Sequence, residues 1–200
     1  MPMTNSSANS WTEQNLHNNS VPTTEYSFIP LSKLLSLYGE EMVAEKLKSF
    51  IPHKDSSTGS FLREKAIMME KKDLSRTFLA VSKSHHILGF VTLGMKCLTI
   101  PKDNLLSNNV MSDMNIDKKT GVAQSYLLGQ LARSVDSPSG IGKNFLDYAI
   151  SKFKASKENV GCRMVRLDCT DDLINYYTKN RFRPICKNSD GDLNQMMIFI

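Results

Sequence analysis

Apolar positions recur along this chain with two periods, and each change of period marks a new element. Tyr26–Leu31 is a short strand closed by Pro30. In Ser32–Phe50, Leu34, Leu35, Met42, Val43, Leu47 and Phe50 fall at helical spacing. Ser32 is the expected N-cap, and Gly39 splits this pattern into two helices. Ile51–Gly59 is polar and reads as a loop. Ser60–Asp73 reads as a helix capped by Ser60, with Phe61, Leu62, Ala66 and Met69 inward. Thr77–Ser82 and His86–Thr99 alternate with period two and predict a hairpin about Lys83–His85. His85 and His86 then fall at a solvent-exposed turn. Lys102–Lys119 is polar and irregular, the expected mobile loop near a substrate entrance.

The second half is more tightly patterned. An apolar run at Leu127–Ala132 is followed by a turn, Ser134–Gly142. A helix comes next, with Phe145, Leu146, Ala149, Ile150 and Phe153 on one face. A second apolar run, Met164–Cys169, leads into Leu173–Ile185. Asp190-Gly191 is a hairpin turn joining Phe182–Cys186 to Leu193–Ile200. Strand, glycine turn, helix and strand in this order predict a βαβ unit with a phosphate-binding turn. Gly140 and Gly142 remove side chains where backbone must approach a ligand. A helix starting at Ile141 offers unpaired N–H groups and the positive end of its dipole. Pro138 stiffens the turn, and Arg133 and Lys143 add positive charge beside it. An ordinary strand-to-helix turn fits the same residues. A P-loop does not, because Ser137 and Asn144 stand where Gly and Ser or Thr are required. Phe145 likewise rules out the dinucleotide GxGxxG pattern.

Composition narrows the class. The 200 residues suit one domain, and 40% hydrophobic with 22% charged residues fits a globular protein. No apolar run approaches the roughly 18 residues of a membrane span, so no membrane partner is expected. The N-terminus lacks the basic and apolar regions of a secretory signal. Cys97, Cys162, Cys169 and Cys186 show no CxxC pairing or ligand spacing, which predicts free thiols in a reducing cytoplasm and no metal. Met1–Glu25 is rich in Asn, Ser and Thr and is expected to be a disordered tail, leaving a domain over residues 26–200. Trp11 and Leu16 could dock that tail on a partner. Outside the tail, 25 basic residues face 18 acidic ones, a formal +7. That balance favours polyanions, RNA above all, although a generally basic surface would give the same sum. Arg63, Lys65, Lys71, Lys72 and Arg76 are the candidates for RNA phosphates.

The order of LLGQLARS, SGIGKNFLDYAI, MVRLDC and INYYTKNRFRPI resembles the GNAT N-acetyltransferases over most of Thr77–Ile200. The resemblance implies an α+β domain with a mixed central β-sheet flanked by helices. It implies acetyl-CoA as cosubstrate, bound at Ser137, Pro138, Ser139, Gly140, Ile141, Gly142 and Lys143, with the backbone amides of Ser139–Lys143 on its pyrophosphate. The preceding strand, at Leu131, Ala132 and Arg133, would hold the pantetheine, and Asn175 would bond the CoA arm. Tyr177 would protonate the departing thiolate. The family pattern F-Y-E-K-x-G-F is met by Tyr176-Tyr177-Thr178-Lys179-Asn180-Arg181-Phe182, with Arg181 in place of Gly. Ser137 replaces the family's usual Arg or Gln at the start of the turn.

A narrower resemblance lies upstream. Phe61-Leu62, Leu74-Ser75-Arg76-Thr77 and Gly89-Phe90-Val91-Thr92-Leu93 look like pieces of the acetyltransferase toxins of bacterial toxin–antitoxin pairs. That resemblance implies aminoacyl-tRNA as acceptor and an antitoxin as partner. Orphan acetyltransferases share the pattern. A chemical argument bears on the acceptor. Acetyl transfer needs a neutral amine, and Leu127–Ser134 offers no Asp, Glu or His as base. Asp168 lies on the next strand. An α-amine, with a reference pKa of about 7.7–8.0, is far easier to use without a base than a lysine at about 10.4. Three readings follow: an acetyltransferase for a primary amine, a toxin-like enzyme acting on aminoacyl-tRNA, and a non-catalytic interaction module with a CoA-like pocket. An exposed apolar patch or a sheet edge is where a homodimer would form.

Overall fold

The computed structural model describes residues 25–200, apart from positions 102, 103, 105, 118 and 189. Trp11, Leu16 and nearly all of the predicted tail lie outside the described residues. Seven strands form one mixed sheet in the order β1-β2-β3-β6-β7-β9-β8. They are β1 (Tyr26–Pro30), β2 (Ser75–Ser82), β3 (Ile87–Met95), β6 (Tyr126–Arg133), β7 (Met164–Cys169), β8 (Arg183–Lys187) and β9 (Asn194–Phe199). A separate pair, β4 (Leu98–Thr99) and β5 (Val122–Ala123), lies between β3 and β6 in sequence. Every pairing in the main sheet is antiparallel except β6 with β7. The α+β class and the mixed sheet are as the sequence predicts.

The helices divide between the two faces. The long helix α6 (Ile141–Val160) covers one face, burying Phe145, Leu146, Ala149 and Phe153 against Val91, Leu128, Val165 and Leu167. The short α7 (Ile174–Lys179) lies on the same side and adds Tyr177 to that core. The other face carries α1 (Leu31–Tyr38), α2 (Glu40–Lys48), α3 (Ser56–Glu64) and α4 (Ala66–Lys71) over β2 and β3. Beyond them, β4, β5 and the helix α5 (Asn108–Asp113) pack on Met164, Ile185 and Met197. Among the described residues, no helix is long and apolar enough to cross a membrane.

Several local expectations need correction. Pro30, not Ser32, precedes α1, and it provides no side-chain cap. Gly39, at φ +78°, does split α1 from α2. The predicted helix from Ser60 begins earlier, at Ser56, because Asp55 caps it, accepting from the Ser57 N–H at 2.8 Å. It then breaks near Lys65 into α3 and α4. The stretch expected to be an irregular loop holds α5, capped by Ser107, and Met114 is buried beneath it.

Two features fix α6 relative to the sheet. Gly89 has no side chain where Phe145 packs: a Cβ there would lie 2.1 Å from the Phe145 ring and 2.5 Å from the Ala132 carbonyl. The second is an aromatic layer, in which Phe28 stacks on Tyr148 at 3.7 Å and meets Phe145 edge-on at 5.6 Å. Together they place the first turn of α6 beside the outer end of β6.

Candidate active site

Strands β6 and β7 begin as partners and then separate. Only Tyr126–Val165 and Leu127–Arg166 are in register. The cause lies on the other edge of β6, where Gln130 pairs with Thr92 and Leu128 with Leu93, leaving Gly129 as the extra residue of a bulge. The bulge bends the strand away from β7. It also flips the alternation, so that Leu128 and then Leu131 face the α6 core while Ala132 faces α1–α4.

The opened edge has a defined end. The Ser134 N–H donates to the Leu88 carbonyl on β3, so Arg133 and Leu131 turn their backbone groups the other way. The Arg133 carbonyl accepts from the His53 N–H at 2.9 Å, and Val135 donates to Ile51 at 3.0 Å. The loop before α3 therefore takes the place that β7 has left. Between these pairings the peptide groups of Leu131 face the cleft.

Two cavities meet in this cleft. One of about 290 Å³ is lined by Leu131, Ala132, Arg133, Gly140, Gly142, Lys143 and Tyr177, among others. The second, of about 550 Å³, opens between the separated strands and includes Gln130, Leu167, Asp168 and Cys169. Leu131 and Tyr177 belong to both walls, as do Lys54, Asp55, Thr58 and Leu173.

The turn at the mouth of α6 supplies donors. Gly140 is its N-cap residue at φ +83°, a left-handed conformation that suits glycine. The N–H groups of Ser139, Gly140 and Gly142 have no intramolecular acceptor among the described residues. They sit at the positive end of a 20-residue helix, an arrangement suited to a pyrophosphate. Ser137 is buried, its hydroxyl donating to the Ser134 carbonyl at 2.7 Å, so it braces the turn from behind. Arg133 does the same with a 3.3 Å bond to the Ser137 carbonyl. Lys143 forms a short ion pair with Asp147 one turn along the helix. Ile141 is buried in the core, and Ser139 and Asn175 are exposed; none of the three lines either cavity.

Tyr177 is 7% exposed, and burial pushes its phenol far above the usual range, so it remains protonated. That suits a donor and excludes a base. Cys169 is pushed up to about 11, first by burial and then by Asp168, and so is a thiol rather than a nucleophilic thiolate. Asp168 is held by the buried Arg166 through bonds of 2.7 and 3.0 Å, which leaves it poorly placed as a base. Next to Tyr177, the Tyr176 hydroxyl is buried and has no hydrogen-bond partner among the described residues. A Cβ on Gly142 would stand 3.6 Å from it, an ordinary contact, so the ring lies beside the helix mouth without depending on this glycine.

Sequence reasoning missed His53, Lys54, Asp55 and Thr58, because the strand-like pairing that brings them here joins segments about 80 residues apart. The candidate RNA contacts are scattered. Lys71 pairs with Glu40 at 2.5 Å, Arg76 with Asp73 at 2.5 Å, and Arg63 donates to the Phe50 carbonyl. Lys65 and Lys72 are exposed.

No protein-family model matches the sequence, and no curated protein matches it. Solved structures do. A tyrosine-to-phenylalanine mutant of KacT is 15% identical, with 87% of this chain and 94% of that chain covered at a TM-score of 0.68. AtaT complexed with acetyl-methionyl-tRNAfMet is 15% identical, with 85% and 94% covered at 0.64. AtaTR bound with AcCoA is 14% identical, with 85% and 91% covered at 0.61. The shared property is the fold, a GNAT-type mixed sheet flanked by helices.

Proposed function

We propose that this chain is an N-acetyltransferase that moves acetyl from acetyl-CoA directly to a primary amine. The observation that carries the reading is the separation of β6 from β7 beside a turn with free amides, with the Tyr177 phenol in the common wall. The amides of Ser139, Gly140 and Gly142 bind the diphosphate, and the Leu131 peptide groups bind the pantetheine arm. The amine enters from the larger cavity and attacks the thioester carbon. Tyr177 donates a proton to the sulfur as the carbon–sulfur bond breaks, the proton lost by the amine passes to solvent, and the Tyr177 phenolate takes a proton back from solvent, so that no net proton is gained or lost. Direct transfer is favoured because Cys169, the thiol in this wall, is not ionised near neutral pH.

For the acceptor, the α-amine of aminoacyl-tRNA is the reading with most support. AtaT, which shares the fold, was solved with acetyl-methionyl-tRNAfMet and with the C-terminus of its antitoxin AtaR. The carboxylates of the described wall are already engaged, Asp168 by Arg166, Asp172 by Lys54 and Asp55 as the cap of α3, which also favours an amine that is substantially neutral. On this reading the partners are tRNA and a cognate antitoxin.

The test is bacterial cell-free protein synthesis with purified protein, with and without acetyl-CoA, and with Tyr177→Phe alongside. Inhibition that needs both acetyl-CoA and Tyr177 supports the toxin-like enzyme, and acetylated aminoacyl-tRNA should then appear by mass. Acetyl-CoA binding without inhibition would leave transfer to another amine. No acetyl-CoA binding would overturn the enzyme reading.

A further inference from the structure

Lys143, Lys154, Lys179, Arg181 and Arg183 line one groove of about 670 Å³ between α6, α7 and the β8–β9 edge. All five are exposed. Asp147 is the one carboxylate side chain among the lining residues, and Lys143 already holds it. The side chains of the other four have no ion pair or hydrogen bond among the described residues. Lys143 also lines the cavity at the mouth of α6, so the groove continues from the diphosphate-binding turn.

Arg181 stands out in its backbone. The Phe182 N–H bonds to the Tyr177 carbonyl and the Arg181 N–H to the Thr178 carbonyl, the pairing of a Schellman C-cap. Arg181 holds the left-handed position of that motif at φ +69°, where glycine is the favoured residue. The chain thus keeps a long cation at a site where its backbone would be more stable without one, and directs it to the rim of the groove.

We propose that this groove is the subsite for the 3′-phosphate of the coenzyme's nucleotide, with Arg181 and Lys179 as its principal cations. The proposal rests on the acetyl-CoA reading above. The coenzyme carries three phosphates. Two are matched by the amides of the turn, which lack a cation of their own at Ser137. The third is a dianionic monoester that amides at the helix mouth cannot also reach, and unpaired guanidinium and ammonium groups next to the turn complement it.

The experiment is calorimetric titration of the full chain with coenzyme A and with 3′-dephospho-coenzyme A, repeated for Arg181→Gly and for Arg181→Gly with Lys179→Ala. The wild type should bind coenzyme A at least about tenfold tighter than the dephospho form, the worth of one or two charge-assisted bonds. Arg181→Gly should shrink that ratio, and the double variant should bring it close to one, with dephospho-coenzyme affinity retained. Arg181→Gly should also raise the melting temperature, so a weakened ratio could not be put down to unfolding. Equal wild-type affinities, or a ratio that survives in the double variant, would overturn the subsite. Failure of the wild type to bind either compound would instead remove the acetyltransferase reading on which the subsite depends.

Discussion

Tyr177 and Asp168 face the same cleft, yet their surroundings give them different chemistry. Burial keeps the Tyr177 phenol neutral, so it can donate but cannot deprotonate an amine. Tyr177→Phe should keep acetyl-CoA affinity and lower kcat by roughly 10²–10⁴-fold, the usual worth of a positioned acid, in a steady-state assay. Because the phenol does not ionise in the working range, kcat/KM should show no falling limb up to about pH 9. It should rise with the fraction of neutral acceptor, with a midpoint near about 8 for an α-amine and about 10.4 for a lysine. Asp168 is committed to Arg166, whose side chain is 3% exposed. Removing one partner leaves a buried charge uncompensated, so Asp168→Ala should cost about 3 kcal/mol in denaturant unfolding. A variant of unchanged stability that had lost all transfer would show instead that Asp168 is the base.

At the scale of elements, the bulge at Gly129 decides which side chains reach the cleft. Deleting Gly129 should exchange the faces of Leu131 and Ala132 and abolish acetyl-CoA binding, as read by calorimetry. Gly89→Ala should lower stability by about 1–3 kcal/mol, because the new methyl group meets the Phe145 ring and the Ala132 carbonyl. The difference between these two glycines also shows what could be read from sequence. The turn, α6 and β7 were legible because their signals are local: Gly140 and Gly142, then Phe145 to Phe153 at helical spacing, then an apolar run. The bulge was not, since it depends on pairing between Thr92 and Gln130, far apart in the chain. The start of α3 was missed for a different reason. Asp55-Ser56-Ser57 carries a cap signal, but the polar character of Ile51–Gly59 made it resemble a loop.

Across the whole molecule, the two faces of the sheet carry different tasks. The α6 face holds the turn and the basic groove. The α1–α4 face consumes much of its positive charge internally, as with Lys71 and Glu40. The basic candidates on that face are scattered, with Lys65 and Lys72 exposed, whereas the α6 face gathers five cations in one groove. The domain boundary near Tyr26 remains a proposal, and a chain starting at Glu25 tests it. Its melting temperature should stay within about 4 °C of the full chain, equivalent to roughly 1 kcal/mol. A larger fall would mean that residues 1–24 contribute to the folded unit.

The cleft has a consequence beyond its chemistry. It is bordered by β6 and β7, which meet at Tyr126 and Leu127. At the far end, Ile51–His53 is stitched to β6, and Lys54 reaches Asp172, just past β7, at 3.4 Å. The far end of the opening is thus bridged by one exposed ion pair, a surface latch that opens easily. On the acetyltransferase reading, the long arm of acetyl-CoA would pass beneath this latch. Cutting it with Lys54→Ala should speed both loading and release in stopped-flow traces while leaving the bound affinity nearly unchanged. A change in affinity without a change in rates would mean that Lys54 is a ligand contact and not a latch.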